Sequence, residues 1–193
     1  MVFVKRFTGV QIKNALKLRV LQRPRVASQA EREHRMIRAL SGRGFGAPRV
    51  LAWGHETRLG YERRSLLVTA ALTGEALSST GPTREELKEV ARTYGRVLAS
   101  GVFLPDLGLY HVFRASVHGK RRYQLIDFHN ARTAPQATDR EVARAIVRFF
   151  QSPGGSRLLA NGWLEEFVDR LLDSAERTMA RAKTLALCRE RLA

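Results

Sequence analysis

The chain has one cysteine, Cys188, in 193 residues. An internal disulfide is excluded, and so is a zinc site built on paired cysteines, since both need at least two thiols. A lone thiol fits a reducing compartment such as the cytosol. Acidic residues are scarce too: 18 Asp and Glu stand against 34 Lys and Arg, for a formal net charge of +16. Such a chain gathers anions around itself, so phosphates, nucleic acid and anionic lipid all qualify as partners. No apolar run approaches the ~20 residues of a membrane-spanning helix. The opening MVFVKRF reaches Lys5 and Arg6 too soon for the apolar centre of a signal peptide. The expectation is a soluble or peripheral protein. Repeats and low-complexity tracts are missing as well. Hydrophobic residues make up 44% of the chain, and its length suits one domain or two small lobes.

VFVKRF alternates apolar and polar residues and reads as a strand with Lys5 on one face. From Gln11 to Arg25 the segment is basic and partly helical, with Lys13, Lys17, Arg19, Arg23 and Arg25 read as a solvated face before a dedicated anion site. SQAEREHRMIRAL is helical, with Met36, Ile37 and Leu40 as its apolar stripe. One turn back lies Glu33, which either joins that stripe and faces inward or sits half-exposed in the first turn, where the helix dipole favours it. GRGFGAPRVLAWG breaks the helix and enters a strand, and RRSLLVTAAL supplies another, giving a small strand–helix–strand lobe over residues 1–74. The polar TGEALSSTGP reads as the linker to a second lobe, residues 75–193. There Thr83 and Glu86, and again Thr138 and Glu141, stand at capping-box spacing before amphipathic helices. WLEEFVDRLLDSAERTMARAKTLALCRERL supplies one or two more helices, and the rest is helical except for one hairpin, HVFRASV and RRYQLIDF around HGK. Antiparallel pairing of that hairpin is expected to set His111 beside Asp127.

Two carboxylates need explaining. Asp106 sits at a loop edge in LPDLGLYHVF, and Asp127 ends an apolar strand in QLIDFHNAR. A buried carboxylate requires a cation, hydrogen-bond donors or a metal ion. The order of a strand Lys, a helix Glu, a loop Asp and then Asp-Phe resembles that of protein-kinase-type phosphotransferases. Where kinases have Asn five residues after the loop Asp, this chain has His111, and where Gly follows Asp-Phe it has His129. Both features resemble the lipopolysaccharide kinase (Kdo/WaaP) family of Gram-negative bacteria, whose members pair a catalytic Asp with a His five residues on and carry an Ile-Asp-Leu/Phe-His motif. EREHRMIRAL and GFGAPRVLAWG resemble that family's Glu-bearing helix and following strand, so the likeness spans roughly residues 2 to 135.

The resemblance implies an α+β, protein-kinase-like two-lobed fold, with the N-lobe truncated before the Lys-bearing strand and a mostly helical C-lobe. It implies phosphoryl transfer from ATP, with Mg2+, to a sugar hydroxyl of an anionic glycolipid, in the cytoplasm or on the inner face of the membrane. Lys5 would hold the nucleotide phosphates and Glu33 would pair with Lys5. Asp106 would orient and deprotonate the acceptor hydroxyl, while Asp127 and His111 would bind the metal. Magnesium prefers oxygen ligands, so His111 could equally brace an Asp through a hydrogen bond. Leu104 stands where related kinases usually have His. The strands and Gly-rich turn that cover the phosphates are expected in about forty further residues upstream. Residues 1–193 alone are accordingly expected to bind nucleotide weakly and turn over little. A pseudokinase that binds nucleotide or a partner without turnover is the alternative. A nucleic-acid binder rests on charge alone, because no aromatic stacking motif or zinc module accompanies it.

Overall fold

A computed structural model of the chain describes residues 1–8, 28–58, 61–117, 120–133 and 137–192. The basic stretch from Gln11 to Arg25 lies outside the described residues, as do His118 and Gly119 of the hairpin turn. The chain divides into two units, one of Met1–Leu72 with Asp127–His129, the other of Thr73–Ile126 with Asn130–Ala193.

In the first unit, β1 (Val2–Thr8), β2 (Val50–Arg58) and β3 (Tyr61–Ala70) form an antiparallel sheet in the order β1-β3-β2. Helix α1 (Gln29–Ser41) packs on it, burying Ala30, Glu33, Met36, Ile37 and Leu40. Its first turn would leave amide N–H groups without partners. The Ser28 side chain accepts from the Glu31 N–H at 3.1 Å, and β3 supplies acceptors for two more. Glu62 Oε2 takes the Gln29 N–H at 3.1 Å and Ser65 Oγ takes the Ala30 N–H at 3.3 Å, which ties the start of α1 to the sheet.

The second unit opens with β4 (Glu75–Ala76) and a short helix α2 (Leu77–Thr80), followed by α3 (Arg84–Ala99). The stretch read as a linker is therefore structured, because Leu77 is completely buried and β4 pairs with a hairpin strand. That hairpin is β6 (Val112–Val117) with β7 (Lys120–Leu125), and a second small pairing joins β5 (Val102–Phe103) to β8 (Arg132–Thr133). Strand structure here thus extends beyond the one expected hairpin. Helices α4 (Asp139–Gln151), α5 (Gly155–Ala160), α6 (Leu164–Ser174) and α7 (Arg181–Leu192) complete the unit. Both capping boxes form, at Thr83 with Glu86 and at Thr138 with Glu141. The core centres on Phe149, stacked on Phe167 at 4.5 Å and met edge-on by Tyr94 at 6.2 Å. Close approach of α3 to α6 depends on Gly95, where a Cβ would lie 2.3 Å from the Leu171 carbonyl oxygen.

The hairpin register corrects one expectation. Val112 pairs with Leu125, and the Ile126 N–H donates to the His111 carbonyl at 3.0 Å. Ile126, one residue short of Asp127, therefore stands opposite His111. Asp127 itself leaves the ladder with a positive φ of 63°.

Candidate active site

Period-two alternation places Phe3, Lys5 and Phe7 on the face of β1 that looks toward α1, in register with Leu67 of β3. The Lys5 ammonium lies 5.3 Å from the centre of the Phe7 ring. It reaches Glu33 at 3.3 Å to Oε1 and 2.9 Å to Oε2, and it also donates to Asp127 Oδ1. Glu33 is only 3% exposed, which settles the two sequence readings of that residue in favour of the inward one. A charge so deeply placed is tolerated because Lys5 faces it and the Phe128 N–H donates to its Oε1 at 3.3 Å. Phe128 is itself buried, and this anchors the Asp-Phe-His turn against α1.

Asp127 adopts a left-handed backbone conformation, uncommon for a residue with a side chain although Asp tolerates it better than most. The strained turn re-aims its carboxylate toward the sheet. His129 Nδ1 donates to the same Oδ1 that receives Lys5. Because a carboxylate only accepts, that Nδ1 carries the proton. The result is one cation, Lys5, shared by two carboxylates, with an imidazole bracing the second.

In the second unit, Asp106 lies in the loop between β5 and a 3-10 turn at Leu109–His111. Both of its carboxylate oxygens are engaged: Arg148 from the last turn of α4 donates to Oδ1, and Asn130 donates to Oδ2. Arg148 also reaches the Pro105 carbonyl at 3.2 Å. His111 is buried, and its Nδ1 donates to the Asp106 backbone carbonyl at 3.0 Å. A carbonyl cannot donate, so Nδ1 holds the proton here as well. Farther along the loop Tyr94 is hydrogen-bonded to the Gly108 backbone, and burial pushes its phenol pKa well up. Side chains from α3, α4 and the hairpin mouth therefore hold this loop at several points.

The five sequence-predicted residues accordingly fall into two sets. Lys5, Glu33 and Asp127 meet in the first unit, and Asp106 meets His111 in the second. Three further polar residues belong with them. Asn130 and His129 stood within the quoted QLIDFHNAR, so proximity to Asp127 was the available signal. Arg148 had none, being one more Arg in a basic helix. Among the described residues no group of three or more His, Cys, Asp or Glu side chains could hold a metal. A single carboxylate such as Asp127 is nevertheless a donor set that magnesium accepts when nucleotide phosphates and water complete its shell. Among the same residues no helix is long and apolar enough to cross a membrane.

The profile of the lipopolysaccharide kinase (Kdo/WaaP) family matches residues 1–152. The chain belongs to this family. Among solved structures it is similar to WaaP in complex with acyl carrier protein, with a TM-score of 0.63 and 23% identity over 84% of this chain and 75% of that one. It is also similar to the bifunctional kinase-methyltransferase WbdD, with a TM-score of 0.52 and 22% identity over 86% of this chain and 40% of that one. No curated protein sequence matches it. At these identities the structural likeness speaks for the fold, an α+β, protein-kinase-like one. The family match makes the chain a member of the lipopolysaccharide kinases.

Proposed function

We propose that this family member transfers a phosphoryl group from ATP to a sugar hydroxyl of lipopolysaccharide, on the cytoplasmic side of the membrane. The observation that carries the reading is Lys5, shared by Glu33 and Asp127 in a chain that belongs to a kinase family. The first unit acts as the nucleotide lobe, residues 1–74 by sequence, and the second as the catalytic and acceptor lobe, residues 75–193. Lys5, oriented by Glu33, binds nucleotide phosphate oxygens as a point charge. Asp127 offers hard carboxylate oxygen to Mg2+, which when bound neutralises charge on the phosphates. Asp106 receives the proton of the acceptor hydroxyl, and Arg148 and Asn130 fix the direction of its carboxylate. His111 serves as a brace through the Asp106 carbonyl.

A second reading, binding without turnover, draws on one specific feature. Both Asp106 oxygens are already engaged, Oδ1 by Arg148 and Oδ2 by Asn130, so an acceptor hydroxyl would have to compete for lone pairs that other donors hold. Two measurements separate the readings. Titration with a fluorescent ATP analogue is expected to show magnesium-dependent binding that Asp127→Asn weakens at least tenfold, since a neutral amide replaces a carboxylate poorly at a hard cation. In a form of the protein that also carries Gly-rich strands, label transfer from ATP to purified inner-core lipopolysaccharide is expected to vanish in Asp106→Ala while nucleotide binding stays intact. Nucleotide binding by that extended form with no transfer to any acceptor would select the second reading; no nucleotide binding by it at all would reject both.

A further inference from the structure

The sheet of the first unit has a second face that the Lys5 site does not use. Side chains alternate along a strand, so the face opposite Lys5 and Leu67 carries Val2, Val4 and Arg6 from β1. In register with them on β3 stand Ala70, Val68 and Leu66. On β2, a bulge between Val50 and Ala52 sets Leu51 together with Ala52 against Val68, and Gly54 lies opposite Leu66. Helix α1 packs on the other face, where Ser65 and Leu67 are buried although Phe3 at its margin is exposed. On this one Val2 is 55% exposed, Val4 45%, Leu51 44% and Leu66 42%. Single exposed aliphatic side chains are ordinary on a protein surface. Rows of them on three strands about 4.8 Å apart make a continuous flat patch, the kind of surface that marks an interaction site. The next positions along the same face are basic: Arg6 in the row of Leu66, then Arg64, which shares Glu56 with Arg63.

We propose that this face docks on an anionic membrane surface, with Val2, Val4, Leu51 and Leu66 entering the boundary between headgroups and acyl chains and Arg6 and Arg64 meeting lipid phosphates. Apolar contact combined with cationic side chains is the pairing that holds proteins at anionic interfaces. The charge of the whole chain decides between occupants. At a formal +16, anionic lipid attracts it, whereas a second copy would bring an equal positive charge against it. The proposal goes beyond the phosphotransferase reading and concerns lipid alone, so it stands or falls whether or not transfer is found.

The test is sedimentation of the full chain with vesicles of phosphatidylcholine, alone or mixed with phosphatidylglycerol, without nucleotide or lipopolysaccharide. Binding to the mixed vesicles is expected to exceed binding to phosphatidylcholine and to weaken as salt shortens the screening length. Val4→Asp with Leu66→Asp is expected to lower the partition coefficient at least about tenfold, since a carboxylate resists both the apolar boundary and the anionic headgroups. Arg6→Gln, which leaves the apolar rows untouched, is expected to lower it roughly fivefold. Met179→Asp, at a 98% exposed position in the second unit, is expected to change it far less than Val4→Asp with Leu66→Asp. Circular dichroism and thermal melts establish that each variant is folded. Equal binding to neutral and anionic vesicles overturns the proposal, as does wild-type binding by folded Val4→Asp/Leu66→Asp. A dimer seen by light scattering and dissolved by those same substitutions, with vesicle binding unchanged, would assign the face to a second copy instead.

Discussion

Glu33→Gln isolates the contact on which the nucleotide lobe is organised. The substitution keeps side-chain volume and keeps an amide oxygen able to accept from the Phe128 N–H. It removes the charge that faces Lys5 at 2.9 Å and presents an NH2 donor to an ammonium that can only donate. Severing a fully buried ion pair costs about 3–5 kcal/mol. The Lys5 side chain is 25% exposed and retains Asp127, so part of its charge stays compensated. The expected loss is about 1–2 kcal/mol, which for a chain of this length lowers Tm by roughly 2–8 °C. Differential scanning calorimetry at neutral pH measures it, and a double-mutant cycle with Lys5→Met separates the pair from its surroundings. The cycle is expected to return a coupling of about 0.5–3 kcal/mol. Additive single effects in that cycle, with a Tm for Glu33→Gln equal to wild type, would refute the assignment of Glu33 as the partner of Lys5.

Arg148→Ala removes a half-exposed side chain, so Tm is expected to move by no more than about 1 kcal/mol implies, while kcat for sugar phosphorylation falls and KM for ATP holds. A fall in kcat accounted for by the fraction of protein that the melt shows to be unfolded at the assay temperature would show a merely structural role. Glu86 gives the clearest pH signature. Burial would raise its pKa, but hydrogen bonds from Thr83 and from Arg114 outweigh that and hold it below the ordinary 4.5. A depressed folded pKa stabilises above the unfolded value and loses that contribution as pH falls through the folded one. The Tm gap between wild type and Glu86→Gln is therefore expected to be full at pH 6–7 and to narrow as pH falls below about 4.5, and a gap constant down to acid unfolding would count against it. Cys188 is wholly buried and burial pushes its thiol up to about 11, so an aromatic disulfide reagent at pH 8 is expected to react with it only after denaturation. Rapid labelling of the native chain would show the packing of α7 on α4 to be open.

Features set by neighbours in the chain were legible without coordinates. The alternation around Lys5, the apolar stripe from Met36 to Leu40 and both capping boxes are local patterns, and each appears as its pattern requires. The motif order that marks the family is equally one-dimensional, so the sequence was sufficient for membership and for an α+β fold. Burial of Glu33 was not legible, because a helix shows which residues share a face but not what lies under it; β1 and its lysine decide that. Nor was the hairpin register, since the one-residue difference between setting Asp127 or Ile126 opposite His111 depends on a turn whose pairing is read only in three dimensions. The polar stretch before α3 became structure because Leu77 found a core to enter. Asp106 shows the limit most plainly. Its partners Asn130 and Arg148 lie 24 and 42 residues away, and nothing in the intervening chain selects that arginine from the many others. Only the folding of α4 beside the loop brings its guanidinium to the carboxylate, where Nη1 alone donates both to Asp106 Oδ1 and to the Pro105 carbonyl.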